Sequence, residues 1–263
     1  MYSLNLILKL YPLKSYMSIV FKPLRRGRFC DIVVYSKNLQ VSDFMNKTTS
    51  KKKLINFLGL TGVIALVSYT LAVVFSPRAY PDYNWLSQAV SDLSAESAPS
   101  RILWNRLAAP YGVCSVVCPT CVSVFVSENK VSTKLFRLGV YLFTVMTWIS
   151  AIGYAMFPLA DSGKEIASFG EVMHIAVTAA VVLLSIASLV LIIISGFKKS
   201  GLKALGVFAL IALLMMLVGA IGQGAVPPEY FGVVERFSVF AAVGFNAVLG
   251  IYLFSGFNSK RGV

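Results

Sequence analysis

Residues 172–197 read VMHIAVTAAVVLLSIASLVLIIISGF, without one Asp, Glu, Lys or Arg. A bilayer core needs roughly 20 consecutive apolar residues in a helix, and buried soluble helices are rarely this long. Stretches of the same kind recur at Leu54–Pro77, Leu107–Ser127, Leu138–Ala160, Ala204–Pro228 and Phe237–Ser259. Six in succession do not suit the core of one water-soluble domain. They lack the short alternating pattern of a membrane barrel. At this length in lipid, only helices satisfy their own backbone. The chain therefore reads as all-α, a polytopic membrane protein built as a bundle of six transmembrane helices.

Composition points the same way. Of 263 residues, 57% are apolar and 13% charged, whereas an average soluble domain carries about 25% charged residues. That balance excludes a disordered chain and argues against a soluble enzyme. Lys and Arg number 24 against 11 Asp and Glu, a net charge of +13. The cations follow the spans. One set of flanks holds Lys47, Lys51, Lys52, Lys53, Lys130, Lys134, Arg137, Lys198, Lys199, Lys203, Lys260 and Arg261, against Glu128 alone. The opposite flanks hold Arg78, Arg101, Arg106, Lys164 and Arg236 among Asp82, Asp92, Glu96, Asp161, Glu165, Glu171, Glu229 and Glu235. Cytoplasmic loops collect Lys and Arg, so both termini are expected inside and the acidic loops outside. The positive charge then orients the chain beside anionic headgroups. Membrane lipids are the expected partners and nucleic acid is not.

Residues 1–44 stand apart. They carry Lys9, Lys14, Lys22, Arg25, Arg26, Arg28 and Lys37 against Asp31 and Asp43. Lys9, Pro12 and Lys14 interrupt the opening apolar run, which is too broken to span and lacks the core of a secretory signal. One reading is a basic arm on the cytoplasmic membrane surface. The other, which composition favours, is an untranslated or disordered extension, with synthesis starting at Met45. The organisation expected is a 1–44 extension and a 45–263 transmembrane domain.

The longest outer loop, Arg78–Arg106, contains YPDYNWLSQAVSDLSAESAPS over residues 80–100. Tyr80, Tyr83 and Trp85 suit the headgroup layer. Asp82 or Asn84 is placed to cap a short interfacial helix ending near Leu93, and Ser97 or Ser100 to cap the second span. Asp92 lies between Val90 and Leu93, where a carboxylate needs a partner. Candidates enter at the outer ends of other spans. Glu171 and His174 share a helix face, Asp161 follows span three, and Glu235 and Arg236 open span six. Ser91, Asp92, Asp161, Glu171, His174, Glu235 and Arg236 thus form a candidate outer polar cluster. It either fixes helix packing or lines an outward-facing pocket. Glu235, Ser238, Ala242 and Asn246 fall on one small, polar helix stripe.

His174 is the single histidine, which excludes a zinc site of three histidines. Ser91, Asp92 and His174 formally supply a hydrolase triad, although no nucleophile turn or oxyanion hole is evident. Cys114, Cys118 and Cys121 have the letter spacing of an iron–sulfur site but lie inside span two on one helix stripe, where Cys acts as a small apolar residue. Cys30 implies no disulfide framework. No metal or cofactor is expected. The spans hold no mid-membrane Asp, Glu, Lys or Arg, which counts against ion pumping.

Tyr83-Asn-Trp-Leu-Ser-Gln-Ala-Val-Ser-Asp-Leu93 resembles the first-loop signature of the six-span family called domain of unknown function 998. Phe157-Pro-Leu-Ala-Asp161, Met173-His174 and Glu235-Arg236 match it further. The resemblance covers roughly Leu54 to Phe257. It implies a prokaryotic multi-pass protein of the inner membrane, with an activity the family name leaves open. More loosely, Val90-Ser-Asp-Leu-Ser-Ala-Glu-Ser97 resembles the six-span Frag1/DRAM/Sfk1 group, which implies lipid-linked or sensory roles. A faint similarity to ceramidase-like membrane hydrolases meets a departure, because those use several histidines on zinc. The function expected is non-catalytic binding of a lipid or small ligand in an outward-facing polar pocket. The alternatives are a membrane-embedded lipid hydrolase using Ser91, Asp92 and His174, and a small-solute transporter.

Overall fold

The structure is a computed structural model, and it describes residues 5–10, 15–22, 31–36, 52–159, 168–198 and 200–257. The chain divides into two compact units, residues 1–51 and residues 52–263. In the first, β1 (Asn5–Leu10), β2 (Ser15–Lys22) and β3 (Asp31–Ser36) pair as an antiparallel meander in the order β1-β2-β3. Asn5 lies opposite Val20, and Lys22 opposite Asp31. A strand meander was not among the readings of the basic extension. Met45 lies outside the described residues.

The second unit is the expected all-α bundle. Six helices are long and apolar enough to cross a membrane: Leu54–Ala79, Arg101–Glu128, Lys134–Met156, Phe169–Lys198, Lys203–Ala225 and Pro228–Phe254. The first comprises α1 (Leu54–Leu58), a break at Gly59 and α2 (Leu60–Phe75), ending in a 3-10 turn. The others are α3 (Arg101–Glu128), α4 (Lys134–Met156), α5 (Phe169–Lys198), α6 (Lys203–Ala225) and α7 (Phe231–Phe254). Several start before their charge-free stretches. Charged residues at the helix ends, Arg101 and Arg106 in α3 and Glu235 and Arg236 in α7, continue the helix instead of ending it.

Consecutive helices pack side by side, α2 against α7 closes the ring, and α3 also touches α7. We call the end bearing residues 80–100 the loop end and the opposite end the tail end. The larger buried core lies toward the tail end, where Cys118, Val122, Phe136, Phe143, Leu189, Ile192, Leu205, Phe245 and Leu249 interlock. Gly59 and Gly250 let α1–α2 and α7 meet backbone to backbone there, since a Cβ on either would strike the other's carbonyl. Asn56 donates from Nδ2 to the Leu253 carbonyl at 2.8 Å and accepts from the Lys53 amide at 3.0 Å, tying the same corner. In lipid, such small residues and cross-helix hydrogen bonds take the place of a hydrophobic driving force.

The loop-end half packs differently. The buried residues of α3 begin only at Ser115, α4 beyond Met146 buries Gly153, and α5 before Ser185 buries Val177. Hydrogen bonds between α3 and α4 occur at Pro119–Thr144, Thr120–Trp148 and Ser123–Thr144, deeper than these sparse ends. A smaller cluster of Tyr69, Val73, Val90 and Val243 fills part of the space. Val90 carries the loop into that cluster.

Candidate functional site

The loop between α2 and α3 folds through its own side chains. Asn84 accepts from the Leu86 amide at 3.0 Å, and Gln88 Oε1 accepts from the Asn84 amide at 2.6 Å. These bonds offer the backbone an alternative to a helical ladder. The interfacial helix expected near Leu93 is accordingly reduced to one 3-10 turn, Ser91–Ser94. Ser100 occupies the N-cap position of α3 but makes no cap bond. It donates instead to the Leu93 carbonyl at 2.8 Å, closing the loop on itself.

The start of α7 holds this loop down. Arg236 donates from Nη1 to the carbonyls of Trp85 at 2.8 Å, Gln88 at 3.1 Å and Gly232 at 2.5 Å. Its Nη2 donates to the Tyr83 hydroxyl at 2.8 Å. The Tyr83 hydroxyl in turn donates to the Ala89 carbonyl at 2.7 Å. Glu235 Oε2 accepts from the Val90 amide at 2.6 Å, and the Val233 amide donates to the Leu86 carbonyl at 3.2 Å. Gly232 permits the approach, since a Cβ there would strike the carbonyl oxygens of Gln88 and Trp85. The loop is thus a roof pinned to α7 by the Arg236 guanidinium, the Glu235 carboxylate and the Val233 amide.

Asp92 belongs to the roof as well. It is 9% exposed, and its Oδ2 accepts from the Ala89 amide at 3.0 Å. Burial raises its carboxyl pKa above the ordinary value, against the pull of the Ala89 amide and the Arg236 charge. Burial likewise pushes the Tyr83 phenol up to about 12, although Arg236 draws it down. Each group therefore favours its neutral form more than it would in water.

Beneath the roof lie tyrosines. The Tyr69 ring packs against Trp104, Tyr111 and Phe240 with centroids 5.7, 4.8 and 5.8 Å away. Tyr154 shares a hydrogen bond of 3.0 Å with Thr178. Val90, whose amide Glu235 holds, packs in the same cluster as Tyr69.

Of the expected cluster, the structure brings Asp92, Glu235 and Arg236 together on one loop. Ser91 lies in the same turn, its carbonyl accepting from Ser94 Oγ at 2.9 Å. Glu171 forms a capping box with Ser168: the Ser168 amide donates to Glu171 Oε2 at 2.9 Å, and the Glu171 amide to Ser168 Oγ at 3.2 Å. His174 Nδ1 donates to the Phe157 carbonyl at 2.8 Å, and its ring lies 5.0 Å from that of Tyr154. This pair ties α5 to the end of α4. Among the described residues, no hydrogen bond joins His174 to Ser91 or Asp92. Asp161 lies outside the described residues.

The small, polar stripe of α7 faces its neighbours. Asn246 Nδ2 donates to the Ser115 carbonyl at 3.1 Å, and Ser238 packs on Gly219. Cys118 is buried against backbone oxygens of Gly59 and Asn246, while Cys114 and Cys121 are half-buried. Among the described residues, no three His, Cys, Asp or Glu side chains gather as a metal site. Tyr69, Tyr111, Tyr154 and Gly232 were not singled out from the sequence. Tyrosines read there as headgroup aromatics, and the close approach of Gly232 depends on a segment distant in the chain.

No curated protein and no solved structure matches this chain. A family model described as "protein of unknown function (DUF998)" matches residues 63–252, from within the first span to the end of the last. That stretch holds the whole roof and all or most of each of the six spans, and the chain belongs to this family.

Proposed function

We propose that the protein is a non-catalytic, multi-pass membrane protein that binds a lipid or small ligand in a polar pocket beneath the roof. The pocket faces outward from the inner membrane of a prokaryotic cell, with both termini cytoplasmic. One observation carries this reading. Glu235 accepts from the Val90 amide at 2.6 Å, and Val90 packs in one cluster with Tyr69, Trp104, Tyr111 and Phe240, in the half of the bundle where α3, α4 and α5 bury least. A carboxylate beside phenols and aromatic faces, in an otherwise apolar setting, is the usual make-up of a ligand pocket. The looser resemblance of Val90–Ser97 to the Frag1/DRAM/Sfk1 group points toward the same lipid-linked or sensory role.

The cationic flanks support the orientation, through the excess of Lys and Arg at the tail end. The hydrolase alternative draws no support from the geometry. A general base must reach its nucleophile at about 3 Å, and among the described residues no hydrogen bond joins His174, whose side chain bonds to the Phe157 carbonyl, to Ser91 or Asp92. Transport draws none either, since the spans hold no mid-membrane Asp, Glu, Lys or Arg.

The test is to purify the full chain, extract and identify co-purifying molecules by mass spectrometry, and measure thermal stabilisation by a lipid panel. A bound molecule whose stabilisation is lost in Tyr154→Phe, with roof contacts intact, supports the pocket. Absence of both a bound molecule and any stabilisation overturns it.

A further inference from the structure

A different surface, on the outside of the bundle, carries a cation in an apolar groove. α2 and α3 part toward the loop end around a cavity of about 440 Å³, walled by Ile64, Val67 and Leu71 on one side and Arg106, Leu107 and Pro110 on the other. The opening has a local cause. Pro110 has no N–H to give the Arg106 carbonyl one turn back. At the next pair, the Ser68 hydroxyl of α2 intervenes: it donates to the Leu107 carbonyl at 2.6 Å and accepts from the Tyr111 amide at 3.1 Å. A side chain inserted into the helical ladder beside a proline is a recognised cause of a kink.

Ile64, Val67 and Leu71 are 48%, 52% and 41% exposed, so the groove opens to the surrounding lipid. Arg106 lies five residues into α3, about 7 Å below its first residue at 1.5 Å per residue. It is exposed, and among the described residues no carboxylate or carbonyl accepts from its guanidinium. Arg101, by contrast, meets Glu96 at 3.9 Å at the helix end. A cation at the edge of the hydrocarbon, over an apolar trough, suits an anion attached to a hydrocarbon chain. Guanidinium binds phosphate oxygens through paired N–H donors. Trp104 and Tyr111, which pack on Tyr69, do not line this groove, which is distinct from the pocket proposed under the roof.

We propose that the groove holds one phospholipid from the leaflet at the loop end, with its phosphate on Arg106 and an acyl chain along Ile64, Val67 and Leu71. The occupant is an anionic diacyl phospholipid. The test is native mass spectrometry of the full chain in detergent, titrated with dioleoyl phosphatidylglycerol and, as a phosphate-free control, dioleoylglycerol. One phosphatidylglycerol binds ahead of the background adducts, and dioleoylglycerol binds about tenfold more weakly. Arg106→Gln weakens phosphatidylglycerol binding by about tenfold, a loss expected when a paired guanidinium contact is removed. Val67→Trp, which fills the trough and keeps the cation, weakens it as well. Unfolding midpoints of both variants are measured alongside, so that loss of fold is distinguished from loss of binding. Equal binding by wild type, Arg106→Gln and Val67→Trp overturns the proposal, and so does equal affinity for the two lipids. Either result would mean that Arg106 only reaches up to the headgroup layer.

Discussion

Replacing Arg236 with alanine should release the roof without unfolding the bundle. Three of its four bonds cross from α7 to the loop, to Trp85 at 2.8 Å, Gln88 at 3.1 Å and Tyr83 at 2.8 Å. A hydrogen bond to a charged group contributes about 1.5–3 kcal/mol where it is buried. Trp85 is 57% exposed, so its carbonyl returns to water and counts for little. The Gln88 and Tyr83 bonds are half-buried and belong at the low end of the range. Together they stabilise the closed roof by about 3 kcal/mol, or about two decades in its opening equilibrium. The assay is amide hydrogen exchange followed by mass spectrometry. The Ala89 and Val90 amides, held by Asp92 and Glu235, should exchange about a hundredfold faster in Arg236→Ala. Amides around Leu249 at the tail end should keep their wild-type rates. Exchange at Ala89 and Val90 within a factor of about three of wild type would refute the reasoning, because the opening energy would then not depend on the guanidinium.

Other perturbations follow from the same contacts. Tyr83→Phe strands the Ala89 carbonyl, in a residue only 5% exposed, and should cost the roof about 1–2 kcal/mol; the check is a roughly tenfold faster exchange at Val90. Gly232→Ala places a methyl against the Gln88 and Trp85 carbonyls, so limited proteolysis between Trp85 and Val90 should rise to the level seen in Arg236→Ala. Asp92 has a raised pKa in the closed roof, so the closed form holds its proton more tightly than the open form. Roof stability is therefore greatest below the ordinary carboxylate pKa, falls as pH rises through the raised value, and is level above it. Trp85 fluorescence should show that slope in wild type, while Asp92→Asn should reduce it and remain at least as closed at neutral pH.

The spans were legible because lipid imposes a crude rule, the absence of charge over a helix's worth of residues. Their ends were less legible, and the reason is physical. Absence of charge reports where hydrocarbon begins, whereas a helix ends where its backbone bonds do. Arg101 and Arg106 therefore stand within α3, six residues of helix ahead of the expected start at Leu107, and Glu235 and Arg236 stand within α7. The outer cluster was legible as a set of suspects but not as a circuit. Arg236 and Glu235 spend themselves on backbone carbonyls and an amide of the roof, and His174 on the carbonyl of Phe157. Backbone partners carry no signature in the side-chain alphabet. Tyr83 stood in the quoted loop motif, yet its role depends on Arg236, which lies far along the chain and adjacent in space.

The docking of the roof on the start of α7, on which the proposed pocket depends, is open to one direct measurement. The Val233 amide and the Leu86 carbonyl lie 3.2 Å apart. Cysteines are placed at Leu86 and Val233 in a chain whose native cysteines are replaced by alanine, and treated in native membranes with a short bifunctional thiol reagent. Rapid, near-complete cross-linking is predicted, with marked slowing when Arg236→Ala is added. Cross-linking no faster than that between Leu86→Cys and a cysteine at the exposed Val172 of α5 would contradict it.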